Sequence, residues 1–288
     1  MTIALGIIGH QCLVVGADTQ ETWGSQKYQQ GKIMSAYRDD PNPRGSICVS
    51  GAGEGGCIDA AAEEIVANFQ SFTGTMDEFE LWLKNFAQTF WEKHVMPYIG
   101  KTDDVPIYEL IIGACHQGRT HLWTTTRGLL SRSEPYAIVG ISRGASRALL
   151  GQLFLSEPSL NVASLLAAYV IQQAKLSADG VGLDTEIRFI FRERAGFVPD
   201  EKIQRWEEIF ERYQYLQREM FSYISGHSPL VIRAPGMVVP KQREWREVIR
   251  DLKKMRKELN EVPVLQGLDD PSMRSFSPPS AQTSGQEQ

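Results

Sequence analysis

At 288 residues, 42% of them apolar, the chain is long enough for one sizeable core with an appendage. Thirty basic residues against 35 acidic ones leave a net charge of −5. There is no positive field to draw phosphates or anionic lipid, which sets aside nucleic acid and membrane surfaces as partners. Cys12, Cys48, Cys57 and Cys115 form no CxxC pair and read as reduced core thiols. No run reaches the roughly 20 apolar residues of a membrane span, and the N-terminus lacks a secretory pattern. The expectation is a soluble, cytoplasmic protein.

In chain order, Thr2-Ile-Ala-Leu-Gly-Ile-Ile-Gly9 and Cys12-Leu-Val-Val-Gly-Ala17 predict two strands joined by a tight turn, the second ending at Asp18. A polar stretch runs to Gly31. After Lys32-Ile-Met34 and a loop punctuated by Pro41 and Pro43, Ser46 to Ser50 predicts a further strand. Ile58, Ala61, Ala62, Ile65, Val66 and Phe69 recur at helical spacing, and a second helix is expected from Met76 to about Val95. Tyr108–Cys115 and Arg119–Thr125 predict a hairpin, joined by a short strand at Tyr136–Val139. Two helices follow, Gly144–Leu155 and Val162–Leu176, and Thr185–Phe191 closes with an alternating strand. Strands segregated from helices argue for layered sheets and helices, not a parallel βαβ sheet.

From Asp200 to Ile224 an apolar stripe that includes Ile203, Trp206, Ile209, Phe210 and Tyr213 predicts an amphipathic helix in need of a partner surface. A charged helix is expected over Gln242–Asn260. Beyond about Gln266 the Ser/Pro/Gln-rich composition predicts a disordered tail. The five histidines form no HxxxH or HExxH pair, and Gly51, Gly53, Gly55 and Gly56 are not followed by a phosphate-loop lysine, so neither a metal nor a nucleotide is expected.

Thr2 carries the chemistry. Its small side chain suits removal of Met1, which would put a free α-amine beside a hydroxyl nucleophile, and an amine with an ordinary pKa of about 8 can take the hydroxyl proton. Taken alone, Thr2 and Asp18 read as a polar strand start and a strand-end turn residue.

The combination of Thr-Ile-Ala-Leu-Gly-Ile-Ile-Gly, Val-Val-Gly-Ala-Asp18-Thr19 and Lys32-Ile33 resembles proteasome β subunits and their bacterial relatives, the N-terminal-nucleophile hydrolases, over roughly Thr2 to Phe191. The resemblance puts Thr2 on the nucleophile, Asp18 on the carboxylate ending the second strand, and Lys32 on the lysine beside the threonine. Lys32 would lower the hydroxyl pKa while Asp18 orients the lysine. Gly53, in Ser50-Gly-Ala-Gly53, takes the oxyanion-hole N–H. The Asp18-to-Lys32 spacing is slightly shorter than usual in that family, which keeps Lys27 as a rival. In Val139-Gly-Ile-Ser142-Arg-Gly144 a supporting serine falls on Ile141 or Ser142 depending on one gap, and Ser142 is taken. Leu176 and Asp179 replace the family's usual aspartate and serine before the last strand, with Ser177 or Asp179 as compensating candidates.

What the resemblance implies is an α+β, four-layer αββα sandwich. Residues 2–197 would form the hydrolase domain, 198–262 a helical C-terminal extension and 263–288 the disordered tail. The implied activity is a threonine peptidase acting on protein or peptide substrates without a cofactor, in a homo-oligomeric ring. An ATPase or regulatory partner could dock on the C-terminal helices. Two other readings remain beside it: a non-catalytic scaffold subunit, and a small-molecule amidase.

Overall fold

The computed structural model describes residues 2–23, 26–38, 45–101, 105–192, 194–224, 250 and 252–257. Two five-stranded antiparallel sheets dominate. The first takes β1 (Ile3–Gly9), β2 (Cys12–Asp18), β10 (Tyr136–Gly140), β11 (Thr185–Phe191) and β12 (Arg194–Phe197), in the order β10-β1-β2-β11-β12. The second takes β5 (Met34–Arg38), β6 (Gly45–Gly53), β7 (Tyr108–His116), β8 (Arg119–Thr126) and β9 (Leu129–Arg132), in chain order. Between them in sequence, β3 (Gln20–Trp23) and β4 (Gln26–Gln29) form a separate hairpin.

Period-two alternation assigns the faces of β2. Leu13, Val15 and Ala17 join Ile111, Cys115 and Leu122 of the second sheet in one core, while Cys12 and Val14 turn to the helices. The sheets approach closely because Gly113 leaves room for the Leu13 side chain. On the outer face of the second sheet lie α1 (Gly55–Ser71) and α2 (Met76–His94). The buried positions of α1 are the six apolar residues that its periodicity singles out. A reciprocal Thr75–Glu78 capping box starts α2, whose Phe79, Trp82 and Phe86 stack at 5.2–5.6 Å.

The first sheet is covered by α3 (Arg143–Leu153) and α4 (Leu160–Ser177). Ala163, Ala167, Ala168 and Ala174 let α4 lie close on β1 and β2. Helix α5 (Asp200–Ile224) buries Ile203, Trp206 and Phe210 in that same core, so the amphipathic stripe finds its partner surface on the first sheet's side. Each such large side chain, when fully buried, stabilises by about 1.5–3 kcal/mol. Residues 250 and 252–257 are helical, and Leu252 and Met255 pack with Ile209 and Tyr213 of α5. The rest of the expected helix over Gln242–Asn260 and the expected tail lie outside the described residues.

Three expectations are corrected. The polar stretch before Gly31 contains the β3–β4 hairpin, since its pairing needs no apolar period. Strand β10 does not extend the β7–β8 hairpin; it pairs with β1 from Ile3↔Gly140 to Ile7↔Tyr136, and β9 takes the place beside β8. Strand β12 pairs with β11 where no strand was expected. A short apolar run shows that a strand exists but not which edge it will satisfy.

Candidate active site

Thr2 leads into β1, its side chain buried at 7% exposure. Its carbonyl accepts from Ile141 N at 3.1 Å, at the turn that follows β10. Gly140 there has φ 92°, and a Cβ on it would press on the Thr2 carbonyl and on Ala52, so this turn requires glycine.

Asp18 ends β2 with its carboxylate fully buried. Three backbone N–H groups hold it: Ile3 at 3.0 Å on Oδ1, and Gln20 and Gly182, each at 3.3 Å, on Oδ2. Lys32 comes from the loop before β5. Its Nζ donates to Thr2 Oγ1 at 2.6 Å, stands 3.4 Å from Asp18 Oδ2, and also donates to the Gln20 carbonyl. Only 13% of the lysine side chain is exposed. Desolvation lowers the Lys32 pKa from the ordinary lysine value, with Asp18 and Glu21 opposing it. Burial pushes Asp18 upward, opposed first by Lys32 and then by the three N–H donors. A pair this buried keeps its place because every charge has a hydrogen-bond partner.

Gly53 closes β6 immediately before α1, at φ 121°, where a Cβ would strike the Ile107 carbonyl. Because Glu54 N bonds Ile107 O at 2.9 Å, the adjacent Gly53–Tyr108 pair is a non-hydrogen-bonded one. The Gly53 N–H therefore points away from β7, toward the side of β6 on which Ser50 Oγ holds the Lys32 carbonyl at 2.9 Å.

Among the described residues Ser142 makes no hydrogen bond to this centre. It is the N-cap of α3 in the left-handed region (φ 64°). The neighbouring Ile141 meets Thr2 through its backbone N–H. Leu176 is exposed, and Ser177 Oγ turns back onto its own helix at Gln173 O. After this helix the chain reaches the centre through the backbone N–H of Gly182, which donates to Asp18 Oδ2. The side chain of Lys27 lies outside the described residues.

Sequence reasoning missed Glu186, whose Oε2 accepts from Lys32 N at 2.9 Å and from Ile33 N at 3.3 Å. It also missed the mutual clasp in which Asp184 N donates to Thr19 Oγ1 at 3.0 Å and Thr19 N donates to Asp184 O at 2.9 Å. The available signal was an acidic residue in a strand whose apolar alternation assigned it to a polar face. Cys12 and Cys48 are poor nucleophiles, because burial pushes their thiols up to about 11 and about 12. Among the described residues no group of three His, Cys, Asp or Glu could hold a metal, and no helix is long and apolar enough to cross a membrane.

No protein-family model and no curated protein matches the sequence. Solved structures do match. An Anbu (Gly-1) mutant from Hyphomicrobium sp. strain MC1 aligns at TM-score 0.61 and 17% identity, covering 77% of this chain and 97% of that one. Anbu, described as an ancestral beta-subunit, from Yersinia bercovieri aligns at TM-score 0.60 and 13% identity, covering 80% and 100%. The Anbu complex of Pseudomonas aeruginosa, described as a helical assembly, aligns at TM-score 0.62 and 13% identity, with the same coverage. The expected membership among proteasome β-subunit peptidases is corrected by these matches: these three solved structures to which the mixed α/β chain is similar are Anbu proteins, and at 13–17% identity the likeness shows the fold.

Proposed function

We propose that the chain is an N-terminal-threonine hydrolase that cleaves peptide bonds by acyl transfer. One observation carries this reading: Lys32 Nζ stands between Thr2 Oγ1, at 2.6 Å, and Asp18 Oδ2, at 3.4 Å, in a nearly dry setting. A buried lysine on a threonine hydroxyl stabilises the developing alkoxide far better than it would in water.

Loss of Met1 exposes the Thr2 amine. Oγ1 attacks the amide carbonyl carbon, and the α-amine takes the hydroxyl proton directly or through one water. The Gly53 N–H, turned away from β7, stabilises the oxyanion. The proton passes to the leaving amine as the C–N bond breaks, and water then cleaves the Thr2 ester, returning Oγ1 and a carboxylic acid. Asp18 keeps Lys32 in place throughout. No metal or cofactor takes part in these steps.

The sheets with helices on their outer faces support reading the fold as a four-layer αββα sandwich of the N-terminal-nucleophile type. We take residues 2–197 as the hydrolase domain and 198–262 as a helical extension that also offers a regulatory partner a surface. The chain is proposed to assemble with copies of itself in the cytoplasm. A head-to-tail interface gives a ring when its rotation closes and a helical filament when it does not. The Anbu complex of P. aeruginosa is described as a helical assembly, which makes electron microscopy of the purified protein the direct discriminator.

The deciding experiment is N-terminal sequencing of the purified protein, followed by peptide mass spectrometry after an epoxyketone or β-lactone. Thr2 as the first residue and a covalent adduct on it, absent in Thr2→Ala, are the expected results. A retained Met1 or an unlabelled Thr2 overturns the catalytic reading. It would favour a non-catalytic scaffold, for which the Ser142 hydroxyl unbonded to Thr2 and the exposed Leu176 are the motivating observations.

A further inference from the structure

We propose that Glu186 is a positioning residue for Lys32: a β11 carboxylate that grips the Lys32 and Ile33 N–H groups and thereby sets where the lysine side chain stands. The proposal rests on the reading of Lys32 as part of the reacting centre.

Lys32 and Ile33 lie in the non-strand segment before β5, so no ladder partner holds their amides. Amides drawn partly out of water need acceptors of their own. Glu186 Oε2 takes both N–H groups, at 2.9 and 3.3 Å, across a separation of more than 150 residues. The other carboxylate oxygen accepts from Arg188 Nε at 2.8 Å, and Arg188 is held in turn by Ser35 Oγ at 2.9 Å. On the opposite side of the peptide, Ser50 Oγ donates to the Lys32 carbonyl at 2.9 Å. The Lys32 backbone is thus gripped from both sheets, by β11 on its N–H and by β6 on its C=O.

The register makes this grip part of the site. Thr185 pairs with Asp18, so the residue after it projects from the strand beside the one that ends in the lysine's counter-ion. Charge is not how Glu186 acts on Lys32. The carboxylates that act on the ammonium are Asp18 and Glu21, while Glu186 spends its oxygens on backbone and on Arg188. Cys48, the other titratable group near Glu186 and Arg188, is held neutral by burial.

The test uses full-length protein with Glu186→Gln, Glu186→Asp and the double variant E186Q/R188M. A side-chain amide has one acceptor and one donor end, so in E186Q its NH2 must be set either against the two backbone N–H groups or against Arg188. Two readouts are taken: the rate of electrophile labelling at Thr2, and the titration of the Lys32 ε-methylene carbon by NMR, assigned with Lys32→Arg. In E186Q and E186D we expect labelling to slow roughly 10- to 100-fold, as for displacements of about 1 Å. The Lys32 midpoint should rise toward the ordinary lysine value as the side chain leaves its dry position. In E186Q/R188M the amide oxygen can turn to the two N–H groups unopposed, and both readouts should move back toward wild type. Unchanged readouts in the two single variants, or a double variant no better than E186Q at equal thermal midpoint, overturn the proposal. If wild-type Thr2 does not label, the functional reading fails while the Lys32 titration still tests the grip.

Discussion

The two flanks of Thr2 are built from different materials. On one side charged side chains do the positioning: Asp18, Lys32 and Glu186 are joined by hydrogen bonds, and their surroundings exclude water from the Asp18–Lys32 pair. On the other side the backbone does it, with Gly140 in a left-handed conformation against the Thr2 carbonyl and the Ile141 N–H on that same carbonyl. A flank made of buried charge fails when a partner is removed, because desolvation is left uncompensated. A flank made of backbone tolerates loss of a side chain but not addition of a Cβ.

Lys32→Met should break this contrast most sharply. Thr2 labelling and peptide cleavage are expected to fall by roughly 10²–10³-fold, the span attributed to loss of one preorganised donor on developing negative charge. Stability should drop by about 3 kcal/mol, because Asp18 stays buried without its cation. Denaturant titration and labelling kinetics on the same preparation would read both. An active but destabilised Lys32→Met would mean that the charged flank is only structural.

Gly140→Ala tests the opposite flank. The added Cβ meets the Thr2 carbonyl at a φ of 92°, so a loss of about 1–3 kcal/mol in stability is expected. Labelling should slow by roughly 10²-fold as Thr2 is displaced by about 1 Å. Thermal unfolding with labelling rates checks it, and a tolerated alanine would show that the backbone contact does not position Thr2.

Of the two flanks, the charged one carries a pH dependence. Lys32 has a lowered folded pKa, so between that value and the ordinary 10.5 the unfolded chain binds more protons than the folded one, and this group makes stability rise with pH. Asp18 has a raised folded pKa. Between the ordinary 3.8 and that value the folded chain binds more protons, and stability falls as pH rises. Both slopes should flatten in a Lys32→Met, Asp18→Asn pair, measured as unfolding midpoints across pH; wild-type slopes persisting in it would place their source elsewhere.

Ser142→Ala is the smallest expected change. With no hydrogen bond from its hydroxyl to Thr2, labelling should stay within about 3-fold of wild type, a difference of under about 1 kcal/mol. A much larger loss would show that the hydroxyl moves to Thr2 when substrate binds.

Thr2, Asp18 and Lys32 could be read ahead of the structure because each lies at the edge of an apolar run and together they resemble a known hydrolase pattern; the structure brings the three within hydrogen-bond reach. Glu186 could not. Thr-Glu-Ile-Arg reads as an ordinary alternating strand, and nothing local reveals that one carboxylate meets amides more than 150 residues away. At Ser142 the difficulty is the opposite: a one-residue ambiguity in a turn decides which residue meets the threonine, and it is the Ile141 N–H that bonds the Thr2 carbonyl.

The periodicities of the chain were sufficient for α1, α2, α4, α5, β1, β2 and β11, because burial of one face imposes its spacing on the residues themselves. Only tertiary structure decided that β10 joins β1, that α5 settles on the first sheet's core, and that Glu186 grips Lys32. Those choices depend on which distant edge, face or amide lacks a partner, and a short stretch of residues carries no record of that.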